Sequence, residues 1–474
     1  MKKILLLIAI SLVFVNAHVY DVYDMNGKKR GTYNGTLNKS TLTRFAKENH
    51  GSVLVKKGSS DNSSSLKALH QNQLSIKQLG QIKKNIDLSS DTLNSELWQE
   101  VEKNEFVKIC IDSKVLAWET SLKSAIFNDS CLVFQAPTLI GVDTLNVYFS
   151  DTDSSHRINL AVGMKYLNFN SEEVLIGYDQ FNKSELRTLG LAKNQEPERL
   201  VSVTAKYLID KYPVTNCEFL QLMWDSIPEK GVYYENFYSI EKARKKWISR
   251  KKTSIHHENC AAHDSATSTI SWYQAMKYAN ARSTREGLKP YYTFSVINEI
   301  PNCSRDLDGD LVDETNCFSE KILSNGYIVG YWDFTRHKEW YIQATIDSTS
   351  DGYRLPYIEE WSMFARGGDK KNKAPWGDSS ATQEEVAKYA QCSSEEGDYY
   401  TTAPVGQLLP NGYGLYDMFG IVSERVLLKD YMAFNFDFPT ALKGYGCRNT
   451  ANYGSFETGD EGVLSGFRLV RKLK

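Results

Sequence analysis

The residues best suited to metal chemistry form an acidic loop in the second half of the chain. Cys303 and Cys317 bracket this loop and are predicted to form a disulfide across it. Calcium takes about six to eight oxygen ligands, and an Asp-Gly turn brings alternating carboxylates to one centre. Leu311 stands where an EF-hand loop has its turn glycine, so the match is imperfect. The loop is either a solvated acidic segment or a calcium site formed by Asp306, Asp308, Asp310 and Asp313.

Two further clusters have residue types that bind ligands. His256, His257 and His263 are potential zinc ligands, although adjacent histidines rarely face one ion and an exposed polar loop is the alternative. The second cluster is aromatic, and it either packs in the core or forms a surface that stacks on a sugar or a peptide. Its members are Trp332, His337, Trp340 and Tyr341.

Five sequence blocks follow one another in the last two-thirds of the chain. They are Tyr212-Pro213-Val214-Thr215-Asn216, Ser271-Trp272-Tyr273, Gly352-Tyr353-Arg354-Leu355-Pro356, the stretch from Thr402 to Gly420 with its Asn411-Gly412-Tyr413-Gly414-Leu415-Tyr416-Asp417 centre, and Gly466-Phe467-Arg468-Leu469-Val470. These blocks resemble, in the same order, motifs of the formylglycine-generating (sulfatase-modifying factor) family. The resemblance implies an irregular, C-type-lectin-like α+β domain over residues 165–474, with an insertion at about 294–351.

The resemblance also implies where chemistry should occur. The family enzyme oxidises a cysteine of a sulfatase to formylglycine, using oxygen and a copper(I) ion held by two cysteine thiolates that suit this soft ion. When the family's Gly-Gly-Ser turn is aligned on Gly444, Gly446 falls at the serine, Asn449 at the first cysteine and Gly454 at the second. All three reactive positions are therefore replaced, and copper binding is not expected.

One thiol remains near these positions. Cys447 lies two residues before the position of the first family cysteine, and no cysteine follows it in the sequence. A single thiolate makes a poor copper(I) site, so Cys447 is expected to be buried or disulfide-bonded. If catalysis remains in this pocket, the candidate residues are Cys447, Asn449 and Tyr453.

The family's calcium sites are partly retained. Glu424 keeps a carboxylate that the family motif has, whereas Ile421 replaces the asparagine that supplies an oxygen there. Asp398 lies within one residue of another family ligand position. The resemblance therefore implies calcium binding at Asp398 and Glu424, where the ion would stabilise a loop-rich fold.

The start of the chain predicts export. Lys2 and Lys3 precede an apolar run from Ile4 to Val15 and a Val15-Asn16-Ala17 cleavage site, so residues 1–17 read as a cleavable signal peptide without a lipobox cysteine. The protein is expected to be secreted or periplasmic, with no transmembrane segment. Its net charge of −2 argues against binding to nucleic acid.

All eight cysteines follow the signal, in a compartment that permits disulfides. Cys110 and Cys131 are predicted to pair because they lie on or beside neighbouring strand-like runs. Cys217 and Cys392 are either bonded or free buried thiols.

Residues 18–163 are predicted to form a small, mostly β module of unknown function. Strands are expected at 106–111, 131–135, 145–149 and 157–162, and helix-like spacing is present over 66–105. In the second unit, Thr215 is expected to cap a helix, and further helices are expected over 271–286 and 358–365. Arg354 and Arg468 are expected to tie carboxylates or carbonyls across the irregular core.

These observations lead to two hypotheses for the second unit. In the first, the unit lacks copper-dependent activity and is a binding or structural scaffold whose partner is a secreted protein or a cell-surface glycan. In the alternative, it is an oxidase or modifying enzyme that acts on a secreted protein through different residues.

Overall fold

The computed structural model describes two compact units, one formed by residues 1–137 with 143–160 and the other by 138–142 with 161–474. Together they form a mixed α+β structure, rich in sheet and with few helices. The described residues are 18–23, 29–35, 52–56, 81–94, 97–122, 124–128, 130–149, 155–176, 199–223, 264–267, 270, 272–297, 321–323, 326–333, 338–368, 374–377, 381–391, 403–427, 440–444 and 465–474.

The first eleven strands of the chain form two sheets. The strands are β1 (His18–Tyr23), β2 (Lys29–Gly35), β3 (Ser52–Lys56), β4 (Lys84–Leu88), β5 (Leu97–Val101), β6 (Phe106–Ile111), β7 (Ala117–Thr120), β8 (Ser124–Asn128), β9 (Cys131–Gln135), β10 (Gly141–Tyr148) and β11 (Ser155–Val162). One sheet has the order β2-β1-β3-β7-β10-β11-β5 and the other β4-β6-β9-β8. All four strands predicted from the sequence in this part are present.

The helical prediction over 66–105 is wrong for its described part, residues 81–94 and 97–105. Two strands, β4 and β5, and a short 3-10 helix (Ser90–Asn94) occupy this stretch. β4 pairs in parallel with β6, with Ile86 opposite Ile109, and both side chains are buried. Pairing with a strand distant in sequence therefore outweighs the local helical spacing.

The predicted disulfide between Cys110 and Cys131 is confirmed. The two cysteines are directly opposite on the antiparallel strands β6 and β9, and their Cα atoms are 4.1 Å apart. Cys217 is also disulfide-bonded, so the alternative of a free thiol is wrong for this residue. Cys303, Cys317 and Cys392 lie outside the described residues.

In the described part of the rest of the chain, the structure has ten further strands and four helices. The strands are β12 (Met164–Ile176), β13 (Arg199–Asp210), β14 (Tyr292–Ile297), β15 (Lys321–Leu323), β16 (Gly326–Asp333), β17 (Lys338–Ile346), β18 (Ser423–Leu427), β19 (Thr440–Lys443), β20 (Ser465–Gly466) and β21 (Val470–Leu473). The helices are α1 (Asn216–Met223), α2 (Trp272–Arg285), α3 (Ile358–Arg366) and α4 (Gln383–Ala387). The sheets have the orders β12-β13-β21, β14-β17-β16-β15 and β19-β18-β20.

The ends of the helices agree with the sequence signals. The Thr215 hydroxyl accepts a hydrogen bond from Glu218 N (3.3 Å), and the Glu218 carboxylate accepts one from Thr215 N (3.0 Å), a reciprocal capping box that begins α1. At the end of α2, Gly287 has a φ of +70°, and Leu288 N donates to Ser283 O at 2.9 Å. This is a Schellman ending, which requires a left-handed residue.

Asn411 closes the third helix from the longest family-like block. Its side-chain amide donates to the carbonyls of Phe364 (2.7 Å) and Ala365 (3.2 Å), the last turn of α3. Gly412 follows, and a Cβ there would lie 2.3 Å from Gly367 O. The Asn-Gly pair is therefore required for close packing of this loop on the helix end.

The main core of the second unit lies between the β12–β13 hairpin and α3. Phe169 and Tyr207 from the hairpin pack with Phe364 of α3, with the Tyr207 and Phe364 ring centroids 5.4 Å apart. Trp361 and Phe419 extend this cluster towards β18 and β19. Across the described part of the chain, no helix has the length and apolar character needed to cross a membrane.

Candidate functional site

The candidate site surrounds the segment that resembles the family's reactive loop. This segment, 445–464, lies between β19 and β20 and outside the described residues, as do Cys447, Asn449 and Tyr453. Both flanking strands pair with β18 at one residue: Glu424 is opposite Lys443 on β19 and opposite Gly466 on β20. The chain therefore leaves and returns to the core beside Glu424.

A buried ion pair lies at this point. Arg468 donates through Nε to Glu424 Oε2 (2.7 Å) and through Nη2 to Oε1 (2.6 Å), and both side chains are fully buried. The Trp361 indole donates to Oε2 at 2.7 Å. A buried carboxylate requires such a set of donors because its desolvation is otherwise unfavourable.

Arg468 also donates hydrogen bonds to three backbone carbonyl groups. Its guanidinium donates to the carbonyl oxygens of Asp210 (3.1 Å), Lys211 (3.1 Å) and Tyr416 (2.8 Å). Its planar set of five donors suits this role, which a lysine could not fill. The predicted role of Arg468 as a tie across the irregular core is confirmed.

Glu424 is the one predicted metal ligand among the described residues. Each of its oxygens accepts two hydrogen bonds, since Arg468 Nε also lies 2.9 Å from Oε1. These donors neutralise the charge and use the lone pairs that an ion would need, so this geometry does not itself favour calcium. No group of three potential metal-ligating side chains occurs in the described ranges. Calcium binding at Glu424 stays a prediction.

Arg425 holds Ser465, the residue that follows segment 445–464. Its guanidinium stacks over the Trp272 ring at 4.9 Å and donates to Ser465 Oγ at 2.9 Å and to the Ile270 carbonyl. It fixes the first residue after the segment to the beginning of α2.

The start of the segment is held by a glycine. Gly444 has a φ of +88°, and a Cβ there would lie 2.6 Å from Met418 O and 3.2 Å from Cζ2 of Trp361. The contact with the Met418 carbonyl leaves no room for a side chain, and the backbone conformation favours glycine. Both ends of segment 445–464 are therefore anchored on buried residues.

A second buried ion pair, between Arg282 and Asp210, contacts the residue that follows Arg468. Arg282 Nη1 donates to both carboxylate oxygens of Asp210 at 2.7 and 2.9 Å, and Leu469 N donates to Asp210 Oδ2 at 3.0 Å. Burial raises the pKa of Asp210, and the Arg282 charge opposes that rise. The Arg282 guanidinium also stacks on Tyr353 at 4.0 Å. We did not predict this pair from the sequence; an arginine on the apolar side of a helix was the available signal.

The third ion pair begins α3. Arg354 donates to the two Glu360 oxygens at 2.6 and 2.7 Å, and Glu360 Oε2 accepts from Tyr357 N at 2.9 Å. The carboxylate therefore caps the helix and pairs with Arg354 at once. The predicted tying role of Arg354 is confirmed.

Most other predicted ligands cannot be placed. Asp306, Asp308, Asp310, Asp313, Asp398, His256, His257, His263 and His337 lie outside the described residues. Trp332 belongs to β16, and Trp340 and Tyr341 belong to β17. The described residues around the site contain three buried arginine–carboxylate pairs, and Arg282 Nε also lies 3.7 Å from Glu286 Oε1. Arginine does not titrate near neutral pH, so the role that these pairs support is structural.

Comparisons with known proteins match more than half of the chain to one family. The model of the sulfatase-modifying factor enzyme 1-like domain matches residues 170–473. The chaperone protein LppX of Paenibacillus barcinonensis is 28% identical over 42% of this chain and 64% of its own length. The formylglycine-generating enzyme of Thermomonospora curvata is 36% identical over 19% of this chain and 31% of its own. The inactive Cα-formylglycine-generating enzyme 2 of Bos taurus is 39% identical over 15% and 26%. The chain thus spans less than two-thirds of each relative.

Solved structures give weaker matches. Treponema denticola variable protein 1 superposes with a TM-score of 0.39 and 19% identity, over 70% of this chain and 98% of its own. PvdO from Pseudomonas aeruginosa superposes with a TM-score of 0.37 and 15% identity, over 65% and 94%. These values carry no information about activity. Because the family model matches well over half of the chain, the protein belongs to the sulfatase-modifying factor enzyme 1-like (formylglycine-generating) family.

Proposed function

We propose that the family domain of this protein is a binding or structural scaffold that does not carry out copper-dependent formylglycine generation. One observation carries the proposal: Asn449 and Gly454 stand at the positions of the two family cysteines, in a segment whose flanks keep their anchors. Neither an amide nor a glycine binds copper(I), which requires soft thiolate ligands. The fold we assign to this scaffold is the irregular C-type-lectin-like fold.

The retained framework supports the proposal. Glu424, Arg468 and Trp361 form one fully buried network, although the reactive positions beside it differ from the family pattern. Two relatives also have names that fit a role without oxidation, a chaperone and an inactive formylglycine-generating enzyme. A domain that keeps its framework and loses its reactive thiols is suited to binding.

We further propose that the protein is secreted or periplasmic. The basic and apolar pattern of residues 1–17 supports this location, as does the disulfide between Cys110 and Cys131. Disulfides persist in oxidising compartments and are rare in reducing ones. Mass spectrometry of the exported protein tests the proposal, because the mature chain is expected to begin near His18.

Calcium is the ion we propose for the scaffold. The candidate ligands are Asp398 and Glu424 by resemblance, and Asp306, Asp308, Asp310 and Asp313 by their oxygen chemistry. Calcium is expected to raise the melting temperature relative to a chelator, because an ion that binds only the folded state stabilises it. Melting curves in calcium, magnesium and chelator test this, and identical curves contradict it.

The direct test of the proposed function is an oxidation assay. The purified mature protein is incubated with copper(I), oxygen and a sulfatase-derived peptide that contains the target cysteine, and the peptide is analysed by mass spectrometry. The formylglycine-generating enzyme of Thermomonospora curvata is the positive control. We expect conversion only in the control. Conversion by this protein contradicts the proposal.

The second candidate function is an oxidase or modifying enzyme that uses different residues. Cys447 favours it, because a thiol lies two residues from the first family cysteine position. Asn449 and Tyr453 would then line the same pocket. If the assay above shows turnover, Cys447→Ser is expected to abolish it, whereas the scaffold would lose at most packing or one disulfide.

A further inference from the structure

Strand β13 is paired along only part of one of its edges. On one side it pairs with β12 from Arg199 to Asp210, over its whole length. On the other side, β21 pairs with it only from Lys206 to Ile209. Among the described residues, no strand pairs on that side with residues 199–205. We refer to this side of residues 199–205 as the open edge.

The backbone groups that point to the open edge follow from the pairing with β21. Asp210 N donates to Leu469 O at 3.0 Å, on the side of β21. In an antiparallel pair the N–H and C=O of one residue point to the same neighbour, and successive residues alternate. The register shift lies in β12, so β13 is continuous, and the backbone groups of Thr204, Ser202 and Leu200 therefore point to the open edge. Within the described part of the chain, no residue outside the β12–β13 pair bonds to these groups.

The open edge lacks the features that usually protect an exposed strand. Such edges usually have a proline, a lysine or a bulge, or they are very short. The stretch 200–205 reads Leu-Val-Ser-Val-Thr-Ala and has none of these features. Val201 and Val203 pack on the main core from one face, and on the opposite face Leu200 is 57% exposed. An added strand would therefore cover apolar side chains on both faces.

The side chains at the two ends of the open edge are basic. Lys472 of β21 and Lys474 are exposed at one end. Arg199 lies at the other end, and its contact with Glu359 is long, at 3.9 Å. The exposed glutamates of β12 are separated from the open edge by β13 itself. This distribution favours an acidic partner, whereas an antiparallel pair of two copies would place Arg199 of one copy near Lys474 of the other.

We propose that the open edge binds an extended acidic segment of a secreted protein as an added strand. A row of unpaired backbone N–H and C=O groups is complemented by another extended backbone, whose hydrogen bonds supply affinity. Leu200, Val201 and Val203 favour apolar side chains at alternate positions of the partner, and the basic ends favour acidic residues that flank them. The inference names the partner class of the proposed binding role and rests on that role.

Binding of labelled peptides to the purified mature chain, measured by fluorescence anisotropy, tests the proposal. The probe is Asp-Glu-Val-Thr-Val-Thr-Val-Asp-Glu, blocked at both ends, and the matched peptide has lysine at the acidic positions. We expect the acidic peptide to bind about tenfold or more tightly than the basic one. Two further peptides are N-methylated on the valines or on the threonines. An added strand uses one of its edges, so we expect one of these peptides to lose binding and the other to keep it.

A variant of the protein tests the same backbone contact from the other side. Ser202→Pro removes a central N–H of the open edge, and a strand tolerates proline where the missing N–H does not face a neighbouring strand. We expect this variant to weaken binding of the acidic peptide about tenfold or more. Ser202→Ala keeps the backbone N–H and is the matched control, with an affinity expected within about threefold of the unmodified protein. Melting curves establish that both variants are folded, and Thr204→Pro replaces the first variant if it is not.

Each contrary outcome overturns the proposal. It fails if the acidic peptide does not bind, if the basic peptide binds equally well, or if binding survives the proline variant and both N-methylated peptides. Self-association of the free protein that Ser202→Pro abolishes, measured by sedimentation, assigns the open edge to a second copy of the chain instead. Failure here leaves the non-oxidising role intact, because the peptide oxidation assay tests that role separately.

Discussion

Two regions of the protein are stabilised in different ways. One is the framework, the buried ion pairs and loops around the ends of segment 445–464. The other is the insertion sheet, β14-β17-β16-β15. The framework buries Arg468, Arg282 and Arg354, each against a carboxylate, among loops with short strands. The insertion sheet has continuous backbone ladders, and on β17 the buried residues Ile342 and Ala344 alternate with the partly exposed residues Gln343 and Thr345. The ladders satisfy the backbone of the sheet, whereas arginine side chains satisfy the loop carbonyls of the framework.

This difference indicates which residues are free to change. A buried ion pair fixes both partners, because removing one leaves an uncompensated charge. The polar face of a sheet imposes no such condition, so its residues can be replaced without loss of the fold. We therefore assign the buried framework a structural role.

The largest effect is expected from Arg468→Met. The substitution leaves the Glu424 carboxylate buried without its partner, which costs about 3–5 kcal/mol of unfolding free energy. Denaturant unfolding measures the loss. The control is Arg199→Ala, which removes an exposed 3.9 Å pair with Glu359 and is expected to change stability by less than about 1 kcal/mol. Comparable losses in the two variants contradict the assigned role of the framework.

The second-largest effect is expected at a buried position of the insertion sheet, in comparison with its partly exposed neighbour. Ile342→Ala empties a buried position against the core and is expected to cost about 2–5 kcal/mol. Its partner in the comparison is Gln343→Ala at the partly exposed position, which should stay within about 0.5 kcal/mol. Unfolding curves of the two variants test the assignment, and it is wrong if Gln343→Ala is the more destabilising.

A smaller effect is expected from Thr215→Ala in the framework. The variant removes the hydroxyl that accepts from Glu218 N and should lower stability by about 1 kcal/mol. Thr215→Ser keeps the acceptor and serves as the matched variant. Equal losses in both would show that the methyl group, and not the cap, is responsible.

The smallest effect is a pH dependence at the end of the insertion sheet. Hydrogen bonds from Lys289 and Thr349 lower the pKa of Asp347 to about 2. Since the unfolded value is about 3.9, this group stabilises the fold above about pH 4, and the contribution is lost as the pH falls through about 2. Asp347→Asn should flatten the dependence of the denaturation midpoint in this window. An unchanged slope contradicts the assignment.

The sequence predicted local features of the fold well. The Thr215 cap, the helices expected over 271–286 and 358–365 and four strands near the start of the chain have local sequence signals, and all are present. Partners that are distant in the sequence were harder to predict. Arg468 was expected to tie a carboxylate, but its partner lies 44 positions away, and Asp210 and Arg282 are separated by 72. Only the fold brings such residues together.

The candidate site was predictable in part for the same reason. Arg468 belongs to a family-like block and Gly444 is the residue on which the family's Gly-Gly-Ser turn is aligned, so their positions could be read from the sequence. The convergence of both loop ends on Glu424 could not, because it depends on β19 and β20 pairing with opposite sides of β18. Strand pairing at this distance leaves no local periodic signal.

The most direct test of the central claim is copper content. The mature protein and the variant Asn449→Cys, Gly454→Cys are incubated with copper(I), desalted thoroughly and analysed by mass spectrometry. We predict no bound copper in the unmodified protein and a gain towards one ion per chain in the variant, because the variant restores the two thiolates. Stoichiometric copper in the unmodified protein would contradict the claim that its reactive pair is lost and would favour the oxidase.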